Sequence, residues 1–269
     1  MGPLTITSLQ NPRVKSAVQL RRRRGREQQD LVLIDGAREI GRALSAGVEI
    51  VELFACPEAC DEPARQLVAA CSQRSVAVLT VTPAVFTKLA YGDRAEGVMA
   101  VARVHHRTLA EMELGKNPLL AVLEAVEKPG NVGAVLRTAD AAGVSGLIVA
   151  EGGTDVYNPN AIRASLGAVF TVPVCQADKR ETVAWLRQQR LRIFAARVDG
   201  AVDYAAVSFC QPCAIVLGSE AHGLSNIWQG ADVTAIRLPM RGAVDSLNVS
   251  TTAAVLFYEA LRQRRAAGM

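Results

Sequence analysis

Nine short, nearly continuous apolar runs constrain this chain more than any other feature. They are LVLI (31–34), IVELFA (50–55), VAVLTV (76–81), GVMAVARV (97–104), LLAVLEAV (119–126), GLIVA (146–150), IFAARV (193–198), AIVLG (214–218) and VTAIRL (233–238). Each is four to eight residues long, the length of a strand and too short for a buried helix. A run without polar alternation has no face to give to water, so it must be covered on both sides. Between the runs lie segments with helical spacing: AREIGRALSAG, 61–74, Pro83–Leu89, 131–142, about 159–167, 179–190 and about 247–265. Strands alternating with helices predict an α/β chain built on a parallel sheet with helices on both faces.

The polar stretch HHRTLAEMELGKNP splits this alternation, so we expect an N-terminal domain over 1–105, a linker over 106–117 and a C-terminal domain over 118–269. His105 and His106 in that stretch read as a solvent-facing pair. Asn11-Pro12 predicts a helix start, with Asn as cap and Pro in the first turn, and that helix is expected to carry the arginines that follow.

Half the residues are hydrophobic and 21% charged, the balance of a soluble globular protein. No apolar run approaches the roughly 18 residues that suggest a membrane span. MGPLTITSLQNPRVK lacks the apolar core of a signal peptide. A cytoplasmic protein is therefore expected, and Asn248-Val249-Ser250 is read as a chance match to a glycosylation acceptor. The six cysteines are expected to be reduced thiols. Cys56/Cys60 and Cys210/Cys213 have the spacing of no compact zinc module, so no metal is expected.

Charge is concentrated at one end. Arg13, Lys15, Arg21, Arg22, Arg23, Arg24 and Arg26 face only Glu27 and Asp30 within residues 1–30, a local balance of +5 in a chain of net +4. Such a segment suits phosphates, or it is a solvated helix face. It has no apolar face to insert into a lipid surface.

In open α/β sheets, ligands gather where loops leave the strand C-termini. Three unusual loops stand there: EKPGNVG (127–133), GSEAHG (218–223) and PMRGAVDSLN (239–248). The chain has no phosphate-binding P-loop and no Gly-rich dinucleotide turn after a strand, EGGTDVY (151–157) being too loose. It has no nucleophile elbow, and Ser219 has no partners for a hydrolase triad. The loops offer glycines for close backbone approach, with Asn131, Arg137, Glu220, Ser246 and Asn248 as donors and acceptors. That set suits holding an amphipathic cofactor and positioning a hydroxyl. Each residue also has a plainer reading: Asn131 or Ser246 as a helix cap, Arg137 as partner to an acid.

Three segments, EAVEKPGNVGAVLRTADAAGV (124–144), IVLGSEAHGLS (215–225) and LPMRGAVDSLNVSTTAAVLFYEA (238–260), resemble in order and spacing the three motifs of the SpoU family of RNA ribose 2′-O-methyltransferases, of the SPOUT superfamily. NPNAIRASLGAVFTVPV (158–174) resembles the family's intervening stretch. LVLIDGAREIGRALSAGVEIVELF and EGVMAV are similar to the ribosomal-protein-like substrate-binding domain of many members. The resemblance implies a deep trefoil knot in the C-terminal domain, which general topology rules would argue against. It also implies a homodimer with active sites at the subunit interface and S-adenosylmethionine held in the knot. Leu217, Gly218, Leu238, Met240, Ser246 and Leu247 would bind the cofactor. Asn131, Arg137, Glu220, Ser246 and Asn248 would be catalytic, and the basic segment would dock RNA, ribosomal RNA being favoured and tRNA possible. One departure stands out: the family's first motif strand commonly ends in Asp-Gly, and here the pair is Glu124-Ala125.

Overall fold

The computed structural model describes residues 5–91, 96–151, 154–220 and 222–269. Gly152 and Gly153 of the EGGTDVY loop and Ala221 of the GSEAHG loop lie outside the described residues. The chain forms two compact units, residues 1–105 with 156–171, and residues 106–155 with 172–269.

In the first unit the order is β1 (Thr5–Ile6), α1 (Pro12–Gln19), α2 (Arg23–Gln29), β2 (Val32–Asp35), α3 (Ala37–Ser45), β3 (Glu49–Ala55), α4 (Glu62–Gln73), β4 (Ala77–Val81), α5 (Pro83–Leu89) and β5 (Val98–Arg103). Asn11 and Asp61 start α1 and α4 by accepting the N–H groups of Arg13 and Ala64 at 2.9 Å. The sheet order is β1-β4-β3-β5-β2. Its strands are not all parallel: β5 runs antiparallel to both β2 and β3. A strand buried on both faces reads the same in either direction, so the apolar run could not reveal this. Val14 and Ala17 of α1, Leu20 just after it, and Val85, Phe86 and Leu89 of α5 pack with Leu33, Phe54, Leu79, Met99 and Val101 of the strands.

The arginine run is not carried on one helix. α1 ends at Gln19, Arg21 and Arg22 lie in the connection, and α2 begins at Arg23. The segment Val156–Thr171, assigned from sequence to the C-terminal domain, clusters with this first unit. Its helix α7 (Pro159–Ala164) packs on β2, Arg42 donates to the Leu166 carbonyl at 2.8 Å, and Tyr157 stacks on Phe170 with centroids 6.2 Å apart.

The second unit contains β6 (Leu119–Glu124), α6 (Pro129–Ala142), β7 (Gly146–Ala150), β8 (Val174–Ala177), α8 (Lys179–Gln188), β9 (Arg192–Ala196), β10 (Val202–Asp203), β11 (Cys213–Leu217), β12 (Val233–Arg237) and α9 (Val249–Ala266). All seven strands are parallel, in the order β10-β12-β9-β11-β6-β7-β8. Leu120, Val122, Ile148, Ala150, Ala214 and Val216 share one face with Val183 and Leu186 of α8 and with Trp228. Strand side chains alternate, so the intervening residues face the other side, where α9 lies against β11 and α6 against β7 and α9. β8 and β10 are edge strands without an apolar run of their own, and the sequence pattern missed both.

Candidate active site

The three loops leave the C-terminal ends of β6, β11 and β12. In the parallel sheet β11 is flanked by β6 and β9, and β12 is β9's other neighbour. Connections from neighbouring parallel strands therefore emerge at one edge. The loop after β11 is tightly closed. Gly223 donates its N–H to the Ser219 carbonyl at 3.0 Å, and His222 donates its N–H to Ser219 Oγ at 3.1 Å. A Cβ on Gly218 would come within 2.3 Å of the Gly223 backbone, a clash only glycine avoids.

Glu220 in this loop joins the other two. Its Oε1 accepts from Asn131 Nδ2 at 3.1 Å and from the side-chain amide of Asn248. Asn248 Nδ2 also lies 3.5 Å from Asn131 Oδ1, and Lys128 Nζ lies 3.4 Å from Glu220 Oε2. Asn248 works at both ends: its Oδ1 caps α9 by accepting Ser250 N–H at 2.9 Å and Ser250 Oγ at 2.6 Å, while its amide reaches the acid. The sequon residues Asn248 and Ser250 are thus a helix cap, and the cap is not Ser246. Asn131 is not a cap either. It sits in the first turn of α6, whose N-cap position is Lys128.

A cavity of about 540 Å³ opens beside this cluster. Leu217, Gly218, Leu238, Met240, Ser246 and Leu247 all line it, together with Glu220. Its size matches that of small-molecule sites, and its wall mixes apolar side chains with charged and polar ones. Arg137 is exposed on α6, makes no ion pair or hydrogen bond among the described residues, and does not line the cavity. Its paired reading therefore has no acid to support it.

The basic segment divides. Arg26 is buried and donates to the Leu20 carbonyl at 2.7 Å. Arg21 donates to the carbonyls of Lys88 and Ala90, each at 2.5 Å. Both guanidinium groups hold backbone together, which withdraws Arg26 and much of Arg21 from an RNA-facing set. Arg13 pairs with Glu52 at 3.2 Å and Arg23 with Glu27 at 2.7 Å. Lys15, Arg22 and Arg24 are exposed and have no partner among the described residues.

One buried link shows in the sequence only as a departure from the family's first motif. Glu124, at the end of β6, is 2% exposed. Its carboxylate accepts the Ser225 N–H at 2.7 Å and the Ser225 hydroxyl at 2.5 Å, tying the strand to the far end of the Glu220 loop. An acid closing an apolar run was the available signal. Beside it, Ala125 holds φ at 52°, a left-handed conformation that costs a non-glycine residue roughly 1 kcal/mol. This is where the family commonly has its glycine. Among the described residues, no group of three or more metal-ligating side chains converges, and no helix is long and apolar enough to cross a membrane.

Comparison with known proteins converges on the same elements. A sequence model of the SpoU rRNA methylase family matches residues 118–258, and one of an MRM3-like substrate-binding domain matches residues 11–100. A 23S rRNA (uridine-2′-O)-methyltransferase of Streptomyces viridochromogenes is 32% identical over 62% of this chain, and the alignment spans only 60% of that enzyme. A crystal structure of an RNA 2′-O ribose methyltransferase superposes with a TM-score of 0.86 at 41% identity, covering 97% of this chain and all of the other. The SpoU methyltransferase AviRb of Streptomyces viridochromogenes, in complex with AdoMet, gives a TM-score of 0.86 at 28% identity over 96% of this chain and 99% of its own. The family match covers more than half the chain and includes every strand, loop and helix that builds the cavity; the chain belongs to the SpoU rRNA methylase family.

Proposed function

We propose that this chain methylates a ribose 2′-hydroxyl in RNA, using S-adenosylmethionine as donor. The observation that carries the reading is the convergence of three motif loops on Glu220 beside a cavity lined by Leu217, Gly218, Leu238, Met240, Ser246 and Leu247. The cavity's volume and the leucines and methionine in its wall fit a nucleoside joined to an amino acid, and Gly218 lets the loop fold back tightly on Gly223 at the cavity's edge.

When bound, the cofactor supplies an electrophilic sulfonium methyl group, so the protein's task is to orient the reactants and manage one proton. Glu220 fixes the amides of Asn131 and Asn248 and so sets the shape of the floor. Ser246 positions the ribose hydroxyl. Arg137, with no acid to hold it among the described residues, clamps the neighbouring RNA phosphate and stabilises the oxyanion as it develops. A guanidinium is a poor proton acceptor at neutral pH, which is why the clamp is preferred to a base.

The substrate is ribosomal RNA, reached in the cytoplasm. This is supported by the named activity of the Streptomyces relative and by the match to a substrate-binding domain. Within the first unit, Lys15, Arg22 and Arg24 contact phosphate. The molecule works as a homodimer, a reading supported by Val198, Val244 and Tyr258, which are 71%, 62% and 50% exposed. The trefoil knot belongs to the same proposal; the insertion of β12 between β9 and β10 and the packing of α9 on α6 are compatible with it.

Transfer of a labelled methyl group to total RNA, followed by mapping of 2′-O-methyl sites with and without the gene, tests the reading. Label in ribosomal RNA is expected. Label in tRNA alone would keep the chemistry and change the substrate. Cofactor binding without transfer to any RNA would overturn the enzyme in favour of an RNA-binding assembly factor.

A further inference from the structure

One charged pair in the cavity wall has no place in the mechanism above. The chain leaves β9 through a tight turn, Arg197–Gly200, in which Gly200 donates its N–H to the Arg197 carbonyl at 3.2 Å. A Cβ on Gly200 would lie 2.6 Å from the Ile236 backbone, so the turn is pressed against β12. The Arg197 N–H also donates to the Ile236 carbonyl at 2.9 Å, which fixes its Cα on the sheet. On this rigid base the guanidinium makes a forked contact with Asp199, Nε to Oδ1 at 2.8 Å and Nη2 to Oδ2 at 3.1 Å.

Both residues line the cavity. The Arg197 side chain is 18% exposed and the Asp199 side chain 66%. Nη1 of Arg197 is buried without a hydrogen-bond partner, so the pair leaves the guanidinium incompletely satisfied. A buried donor left unpaired is costly. The other charged groups on the wall, Glu220 and Asp245, are acids. Among the described lining residues, Arg197 is the one permanent cation.

A carboxylate entering this cavity therefore meets one permanent cation among the described lining residues, and an ammonium beside that carboxylate would find Asp199 next to Arg197. We propose that Arg197 and Asp199 recognise the amino acid end of the methyl donor, Arg197 taking the carboxylate and Asp199 the ammonium. The pair thus decides that the cavity accepts a nucleoside carrying a zwitterionic tail over one without it. This rests on the reading that S-adenosylmethionine occupies the cavity.

The test is direct binding to the purified full chain by calorimetry. The two probes are S-adenosylhomocysteine and 5′-methylthioadenosine, both uncharged at sulfur, of which only the first has the amino acid tail. Arg197→Met should weaken S-adenosylhomocysteine about ten-fold or more and leave 5′-methylthioadenosine within two-fold. Arg197→Lys should recover part of the loss. Asp199→Asn, at an exposed position that folding should tolerate, should give a several-fold loss on the first probe alone. Equal losses on both probes, or no loss on either, would overturn the assignment and return the pair to a staple on the turn. If the unaltered chain binds neither probe, the cofactor reading itself fails, an outcome separable from the others.

Discussion

The motif loops of the C-terminal unit and the basic segment of the N-terminal unit are both polar clusters, and folding treats them in opposite ways. Asn131, Glu220 and Asn248, up to 117 residues apart in sequence, share hydrogen bonds through one carboxylate. The seven basic residues between Arg13 and Arg26 are neighbours in sequence and separate in space. Two are drawn into backbone contacts, two are paired with acids, and Lys15, Arg22 and Arg24 are left facing solvent. Sequence proximity of like charges says little about what a surface presents, because a guanidinium has five donors and an uncapped chain turn has carbonyls to satisfy. Spacing tied to strand ends says more, because the sheet fixes where those ends meet.

The strongest way to break this comparison is to remove the shared acceptor. Glu220→Ala leaves the Asn131 and Asn248 amides without a common partner, and methyl transfer should fall by about 100-fold or more, with melting temperature little changed because the site is solvent-accessible. Turnover within three-fold of the unaltered chain would reduce the cluster to a loop staple. Next in size is Arg137→Lys, which keeps the charge and removes the planar fork. Single-turnover rates should drop about ten-fold or more, while cofactor affinity stays the same. Near-normal turnover would rule out the bidentate clamp.

How far the sequence could be read follows the same division. All nine apolar runs became strands, because short apolar runs of this length bounded by turn residues suit a strand and are too short for a buried helix. The edge strands β8 and β10 and the direction of β5 left no such mark. The three loops were legible because they interrupt apolar runs with glycines and polar residues at strand ends. Glu124 was in view only as a departure, since nothing in one sequence says that Ser225, 101 residues on, would cover its carboxylate. Arg197 and Asp199 follow an unremarkable strand, and only the cavity gives them a role. The clustering of Val156–Thr171 with the first unit left no mark in the sequence, because a short helix with one apolar face does not declare which sheet it will cover.

The basic segment yields the next prediction. Arg22→Ala with Arg24→Ala should weaken RNA binding several-fold at moderate salt and lower the slope of log K against log salt by about 1 to 2. Arg26→Ala should leave that slope unchanged and instead destabilise the fold, by roughly 1 to 3 kcal/mol for the carbonyl contact left unmade. If Arg26→Ala flattened the salt dependence as much as the double variant, the division drawn above would collapse.

The smallest effect concerns a charge that folding hides in the same unit. Burial pushes the Asp35 carboxyl up to about 6, against the pull of the Tyr91 N–H at 3.3 Å and of nearby Arg163, and its Oδ1 has no hydrogen-bond partner. The folded chain therefore holds this proton more tightly than the unfolded chain, whose aspartates titrate near 3.9. The stability tied to Asp35 is fully present below about pH 4 and is lost as pH rises through about 6. Asp35→Asn cannot ionise, so it should match the unaltered chain near pH 4 and exceed it at pH 8 by about 1 to 2 kcal/mol, read as a melting temperature higher by a few degrees. An asparagine variant that is less stable at pH 8 than at pH 4, relative to the unaltered chain, would mean that the ionised carboxylate is held by Arg163 more firmly than burial opposes it. The carboxyl would then belong with the satisfied charges of the motif loops.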